Sequence, residues 1–249
     1  NEHYAGGLVA INTQHGSINR SYATGLIENA ADSVGGFVGT NEGAIDTANA
    51  SGAVNGDDSV GGFVGSNRGS VNRSYATSTV NGDANVGGLV GSNRNEGLIN
   101  RTYAVGAVTG NSDVGGLVGS DAGTVNDSYW DTETSGLTTS AAGTGLTTVE
   151  MTGLNATVEM YAFDFEDSWR PRQDDYPQLS RHSPYADGSE AYDDLVDGDG
   201  SAGNPYLLTT VYELQRMDWQ LDADFEVQND LNATKTSEWH DGDGFDPIG

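Results

Sequence analysis

A paired glycine recurs along the first half of the chain and restricts its fold more than any other feature. The pairs begin at Gly6, Gly35, Gly61, Gly87 and Gly115. Neighbouring pairs are 29, 26, 26 and 28 residues apart. Self-similarity at such a period indicates a solenoid, because each repeat buries its apolar face only against the next repeat. The sequence therefore predicts about five stacked turns.

Each turn repeats one pattern, roughly G-G-[LF]-V-G-[ST]-N followed by N-R-S-Y-A-T. Apolar runs such as Phe63-Val64 and Leu89-Val90 are too short for helices and are bounded by Gly and Asn, so two or three short strands per turn are expected. Gly and Asn are expected to supply the positive φ angles that tight corners need. The predicted fold is all-β, a parallel β-helix with a narrow core.

Equivalent residues of stacked turns form columns, and three of these are predicted. One contains the polar residues Asn12, Asn41, Asn67, Asn93 and Asp121. Amide side chains can bond the turns above and below them, so this column is expected to be structural and to lie at a corner.

The other two columns carry large side chains and form a candidate lateral binding face. One contains tyrosines, interrupted by Asn49, and the other contains arginines, interrupted by Thr47 and Asp127. The members are Tyr22, Tyr75, Tyr103 and Tyr129, and Arg20, Arg73 and Arg101. Such a face would suit carbohydrate or a protein partner. The alternative is aromatic stacking along the coil, with the arginines paired to nearby carboxylates.

The charge balance excludes some partners. Asp and Glu total 37 against 10 Lys and Arg, a formal net charge of -27, which would repel nucleic acid and anionic membranes. This balance is similar to that of proteins from extremely salt-loving microbes, in which salt screens the self-repulsion of the chain. The alternative is an ordinary acidic secreted protein. The absence of Cys excludes disulfides and thiolate sites. No apolar run is long enough for a membrane span, and the start inside a repeat indicates a piece of a longer protein.

Two tetrapeptides resemble the core motif of the GLUG-repeat family: Gly88-Leu89-Val90-Gly91 and Gly116-Leu117-Val118-Gly119. Gly7-Leu8-Val9-Ala10 departs at its last residue, and Phe37 and Phe63 replace the Leu. The stretches SYWDTETSG and WRPRQDDYPQL also look like the end of such a domain, so the resemblance covers the first 180 residues. It implies a β-solenoid of surface or secreted proteins such as adhesins, similar here to haloarchaeal extracellular proteins, without catalytic residues of its own.

The peptidases that carry such repeats use a His-Glu-x-x-His zinc motif, which none of the four histidines here forms: His3, His15, His182 and His240.

Three segments are predicted. Residues 1–180 form the solenoid with a terminal cap, residues 181–203 form an acidic linker, and residues 204–249 form a strand, helix and strand. In the last segment Thr210 and Glu213 fit a capping box, and Leu214, Met217 and Leu221 fit one apolar face. It resembles the opening cap of another solenoid, so we expect it to dock on a neighbouring unit. The alternative is that the sequence simply stops at an arbitrary boundary.

The terminal cap of the solenoid is expected to contain Phe163, Phe165, Trp169, Tyr176 and Leu179.

Two kinds of site are predicted in the loops. Acidic loops with glycines suit Ca²⁺, although the twelfth position counted from Asp197 is Leu208 rather than Glu, and a solvated acidic linker is the alternative. The candidate ligands are Asp197, Asp199, Ser201, Asp241, Asp243 and Asp246. Asn-x-Ser/Thr sequons are candidate glycosylation sites, and the alternative is that the tripeptide was only copied with the repeat. They begin at Asn19, Asn49, Asn72, Asn100, Asn126, Asn155 and Asn232.

The sequence therefore predicts an extracellular structural or adhesive protein of a salt-adapted microbe, without enzymatic activity. It would be one unit of a tandem array or a head-to-tail filament, with copies of itself, adjacent repeats or surface carbohydrate as partners. The alternative is a carbohydrate-binding or polysaccharide-processing β-helix module, although 21 of the 37 acids lie from residue 161 onward and no catalytic pair stands out.

Overall fold

The computed structural model describes residues 3–28, 32–165, 167–180, 196–239, 244–245 and 248. The chain divides into two compact units, Asn1–Thr148 and Val149–Gly249. Each unit has its own sheets and its own apolar clusters. The two are therefore described in turn.

The first unit is a parallel β-solenoid of three sheets, as predicted. Over the described residues, the first and second sheets each take one strand from every turn, five in all. The first sheet contains β1 (Tyr4–Gly6), β6 (Ser33–Gly35), β9 (Asp58–Gly61), β12 (Ala84–Gly87) and β17 (Ser112–Gly115). The second contains β2 (Val9–Asn12), β7 (Val38–Asn41), β10 (Val64–Asn67), β13 (Val90–Asn93) and β18 (Val118–Asp121).

The third sheet carries the rest of each turn and includes two strands of twelve residues, longer than expected. Its strands are β3 (Ser17–Asn19), β4 (Tyr22–Thr24), β5 (Ile27–Glu28), β8 (Ala44–Asn55), β11 (Ser70–Asn81), β14 (Leu98–Asn100), β15 (Tyr103–Ala104), β16 (Val108–Thr109), β19 (Thr124–Asn126), β20 (Tyr129–Asp131) and β21 (Thr144–Leu146).

Strand register agrees with the glycine alignment. Val64 pairs directly with Val38 and Val90 in the second sheet, and Gly61 pairs with Gly35 and Gly87 in the first. The core consists of the same columns. Phe37, Phe63, Leu89 and Leu117 are fully buried, and the rings of the two phenylalanines stack with centroids 4.7 Å apart. The apolar pattern thus fixes both register and core.

The asparagine column forms the expected ladder. Each Nδ2 donates to the Oδ1 of the next turn, at 2.8 Å from Asn12 to Asn41, 2.8 Å from Asn41 to Asn67 and 2.9 Å from Asn67 to Asn93. Asn93 donates to Asp121 Oδ1 at 2.7 Å. All four amides are buried. Every bond runs in the same direction and the last member is a carboxylate, which accepts without donating.

The positive φ angles follow the expectation only in part, since Gly25, Gly52 and Gly106 supply one in three of the turns, as expected of glycine. A positive φ occurs at every member of the arginine column, namely Arg20, Thr47, Arg73, Arg101 and Asp127, and none of the ladder asparagines shows one. A left-handed conformation costs a residue with a Cβ about 1–2 kcal/mol. The strand residues before and after each member of the arginine column pair in the third sheet, and this pairing holds the member in the left-handed conformation once per turn.

The last turn is closed by residues 128–146. Trp130 occupies the register position of Ala104, and its ring fills the space over Gly116. Helix α1 (Thr132–Ser135) follows, with the buried Asp131 as N-cap, accepting from the backbone nitrogens of Glu133 and Thr134. Thr139 O then accepts from Gly116 N, directly after β17, and Ala141 N donates to Val118 O in β18. This accounts for the SYWDTETSG stretch.

The second unit joins residues 149–180 with the C-terminal segment. Arg216 explains part of this, since its Nη2 donates to Thr157 O at 2.6 Å. The unit contains α2 (Asn155–Glu159), the antiparallel pair β22 (Trp169–Arg172) and β23 (Asp175–Leu179), the parallel pair β24 (Tyr206–Leu208) and β25 (Phe225–Val227), α3 (Val211–Gln215), and 3₁₀ helices Arg216–Gln220 and Thr234–Glu238.

Details of the C-terminal segment agree in part with the sequence. The strand, helix and strand are present, and Thr210 and Glu213 form the capping box. Leu214 and Met217 pack on the cluster around Tyr206, whereas Leu221 is 59% exposed and lies outside that face. Phe163, assigned to the cap, stacks on Trp169 within this unit. Docking of the segment on a neighbouring unit stays a prediction.

Candidate functional site

The tyrosine column is in register but is not a uniform surface. Tyr22 is 59% exposed, Tyr75 is half-buried and Tyr103 is 1% exposed. The rings of Tyr75 and Tyr103 stack in parallel with centroids 4.9 Å apart. At Tyr103 this geometry agrees with the alternative of aromatic stacking along the coil. Tyr22 and Tyr75 are the members of the column that reach solvent.

The arginine column has unequal surroundings. Arg20 is exposed, whereas Arg73 and Arg101 are half-buried. Arg73 Nη2 lies 2.5 Å from Asp46 Oδ2. The Nε of Arg101 is buried without a hydrogen-bond partner in the part of the chain that the structure describes. The lateral face therefore offers one exposed guanidinium and one that is paired within the fold.

The sequons differ in accessibility. Asn19, Asn126 and Asn232 are exposed, and the others are half-buried. Asn100 Nδ2 donates to Asn72 Oδ1 at 2.8 Å, and Asn155 Nδ2 donates to Val149 O at 3.0 Å. A glycan on either of these amides would replace that hydrogen bond. Glycosylation at any of the seven stays a prediction.

The candidate calcium loop is a tight turn around Asp199. Gly198 and Gly200 have positive φ, as the loop requires, and Ser201 N donates to Asp199 Oδ1 at 3.0 Å. The side-chain and backbone hydrogen bonds from Ser201, followed by one from Asn204, lower the pKa of Asp199. The three candidate ligands are exposed. No group of three or more His, Cys, Asp or Glu able to hold a metal occurs among the described residues.

Asp241, Asp243 and Asp246 lie outside the described residues. The calcium prediction is therefore carried by Asp197, Asp199 and Ser201.

We expect calorimetry in concentrated salt to detect weak Ca²⁺ binding that Asp199→Asn abolishes. Because the pKa of Asp199 is lowered, its carboxylate stays ionised through mildly acidic pH, and binding should fall only as the pH drops through that lowered pKa. Asp222→Asn in the same unit is the matched control. A titration without heat at brine concentrations of calcium would exclude the site.

A polar cleft of about 390 Å³ lies between the first and second sheets of the first unit. We call it the Thr40 cleft. It is lined by four buried hydroxyl residues, Ser33, Thr40, Ser59 and Ser66. Its charged and aromatic residues are Asp32, Asp58, Arg68, Arg94 and Tyr4.

Hydrogen bonds leave the cleft with unused donors. Asp32 accepts from the His3 backbone nitrogen, and Asp58 accepts from Ser59 N and Asn85 Nδ2, each within 2.9 Å. Arg94 Nε donates to Ser66 Oγ at 2.8 Å. Within the described ranges, the terminal nitrogens of Arg94 have no hydrogen-bond or ion-pair partner, and Thr40 Oγ1 has none either. One oxygen of each carboxylate is engaged, and the terminal nitrogens of Arg94 remain for a ligand, whereas Thr40 Oγ1 is buried in the wall of the cleft.

A second cleft of about 450 Å³ adjoins the first and shares Arg68 and Arg94 with it. Ser92 and Ser120 line it, and they continue the register column of Thr40 and Ser66. No sequence prediction covers this surface. The recurrent Ser-Asn-Arg at 66–68 and 92–94 is the sequence feature that indicates it. Without the stacking of the strands, these residues look like part of a corner.

Comparisons with known proteins add one partial similarity. A segment of 59 residues is 37% identical to part of halomucin from Haloquadratum walsbyi (strain DSM 16790 / HBSQ001). The match covers 22% of this chain and 1% of halomucin. No protein-family model matches the chain, so the GLUG-repeat resemblance rests on the motif alone. No solved structure matches it either.

Proposed function

We propose that this chain is an extracellular structural or adhesive module of a salt-adapted microbe. The observation that carries the proposal is the regular parallel solenoid, whose buried columns are occupied by core and ladder residues rather than by a convergent set of acids and bases. The similarity to halomucin and the 37 acidic residues support a salt-adapted protein. Among the described residues, no helix is long and apolar enough to cross a membrane.

The first turn supports assembly into an array. Leu8 occupies the place of Phe37 and Phe63 but is 45% exposed, whereas both phenylalanines are fully buried. Ile11, Tyr22 and Leu26 are also exposed there. An apolar edge of this kind is stabilised when a further turn or cap stacks on it. In the proposed array that cover is an adjacent repeat or the C-terminal segment of another copy.

Assembly is tested by electron microscopy in concentrated salt with calcium, together with light scattering over a dilution series. Regular filaments with mass that rises with concentration would support a head-to-tail polymer. Concentration-independent monomers would contradict the polymer and favour modules joined within one longer chain. Leu8→Asp, which charges the open edge, should shorten any filaments, and Val149→Asp on an exposed position of the second unit is the control.

Salt dependence gives a separate prediction. The net charge of -27 repels itself over about 10 Å at 0.1 M salt but over only about 3 Å at 1 M. We therefore expect circular dichroism to show loss of β structure in salt-free, metal-free buffer and recovery in molar KCl. A spectrum and a thermal midpoint that do not change between the two buffers would contradict salt adaptation.

A further inference from the structure

We propose that the Thr40 cleft binds an anionic saccharide, a sugar chain bearing carboxylate or sulfate groups. The inference deepens the adhesive role proposed above by assigning it a surface and a class of partner. The tyrosine and arginine columns of the third sheet take no part in it.

Arg94 supplies the charge recognition. Its Nε is fixed by the bond to Ser66, which orients the guanidinium, and its terminal nitrogens are unused within the described residues. Arg68 lies beside it, 52% exposed in its side chain and 3.8 Å from Glu42 Oε1. A guanidinium of this kind binds planar or tetrahedral oxyanions through paired hydrogen bonds. Of the neighbouring carboxylates, Asp32 accepts a hydrogen bond from His3 N, and Asp58 accepts two from residues of its own sheet.

The hydroxyl residues favour a polyol over a simple anion. Ser33 and Ser59 come from one sheet, and Thr40 and Ser66 come from the other. Thr40 Oγ1 is buried without a hydrogen-bond partner among the described residues, which is destabilising for a polar atom. Rotation about χ1 exchanges this hydroxyl with the methyl group, so a ligand hydroxyl in the cleft can give it the partner that the fold does not.

The repeat of the site favours a chain of sugars. Hydroxyl residues recur once per turn from Thr40 to Ser120, about 4.8 Å apart. The two clefts that they line share their arginines. A ligand with hydroxyls and charges at regular intervals can use both clefts, whereas a single small anion would use only the guanidinium groups.

The acidic surface sets the conditions for binding. At low salt the net charge repels an anionic chain, but at 1 M salt repulsion beyond about 3 Å is screened, and direct contacts persist. Binding is therefore expected to be stronger in molar salt than in dilute buffer. Ordinary surface attraction between opposite charges has the reverse salt dependence.

The test is calorimetry of the whole chain in molar KCl with three probes: polygalacturonate fragments, dextran sulfate and neutral dextran. We expect binding to at least one anionic probe, and which of them binds distinguishes carboxylate from sulfate. Dextran should bind about tenfold more weakly or not at all. Arg94→Gln should weaken anionic binding about tenfold, whereas Arg172→Gln, the same change at an exposed position of the second unit, should not.

Thr40→Val separates recognition from folding. It should weaken binding severalfold while the thermal midpoint stays the same or rises, because an unpaired buried hydroxyl is removed. Equal binding of dextran and the anionic probes, or affinity that neither Arg94→Gln nor Thr40→Val changes, would overturn the proposal. These outcomes leave the salt and assembly tests of the previous subsection untouched, so the failure of one proposal is distinguishable from failure of the other.

Discussion

Replacement of Gly61 by alanine is expected to abolish folding of the first unit. An added Cβ would lie 2.0 Å from Val64 O and 2.8 Å from both Gly91 N and Leu89 O. All three are backbone atoms, one in the same turn and two in the next, so no side-chain rotation relieves the clash. Separating the turns would break the parallel strand pairing on both sides, and we expect a cost above about 4 kcal/mol.

Circular dichroism with thermal unfolding in molar salt measures this effect. Gly203→Ala is the control for an added methyl group, because no atom lies within 4 Å of its Cβ position and its φ is not left-handed. The control should unfold with the wild-type midpoint. If Gly61→Ala also kept that midpoint, the close packing of the first and second sheets would be wrong.

Replacement of Asn67 by alanine is expected to lower the free energy of unfolding by about 2–4 kcal/mol. Asn67 is fully buried, accepts from Asn41 and donates to Asn93. Its removal leaves an amide donor of Asn41 and the Oδ1 of Asn93 short of a partner, and each unsatisfied buried group costs about 1–3 kcal/mol. Asn41 retains a weaker bond to Gly43 O at 3.3 Å, which limits the loss.

Two further variants test whether the direction of the ladder matters. Asn67→Asp still accepts from Asn41 but places a carboxylate against Asn93 Oδ1, so it should destabilise at least as much as alanine. Asp121→Asn keeps the oxygen that accepts from Asn93 Nδ2 and Gly123 N and should change stability by about 0.5 kcal/mol or less. Equal effects of the two variants in urea unfolding would show that the ladder is not directional.

The register of the first unit was predictable because the glycine pairs mark one structural position in every turn. Aligning Gly35, Gly61 and Gly87 places Asn41, Asn67 and Asn93 side by side, as the strands have them. The capping box at Thr210 was predictable for a similar reason, since it depends on residues three positions apart. Local patterns and exact repeats carry this information within the sequence.

Other features depend on contacts that no local pattern specifies. The left-handed backbone at Arg73 and Arg101 is imposed by stacking with adjacent turns and contradicts the propensity of arginine. The unit boundary at Thr148 depends on packing between residues 59 positions apart, Thr157 and Arg216. The Thr40 cleft appears only when the first and second sheets meet, because its hydroxyl residues resemble ordinary corner residues in the sequence.

The one-way ladder also bears on how such a chain grows over evolutionary time. Gly35, Gly61 and Gly87 are 26 residues apart in each step, so duplication of one such segment inserts another amide that accepts from the turn before it and donates to the turn after it. Asp121 keeps its place at the receiving end however many copies precede it. Unequal recombination within the repeat can therefore change the length of the protein without a compensating substitution.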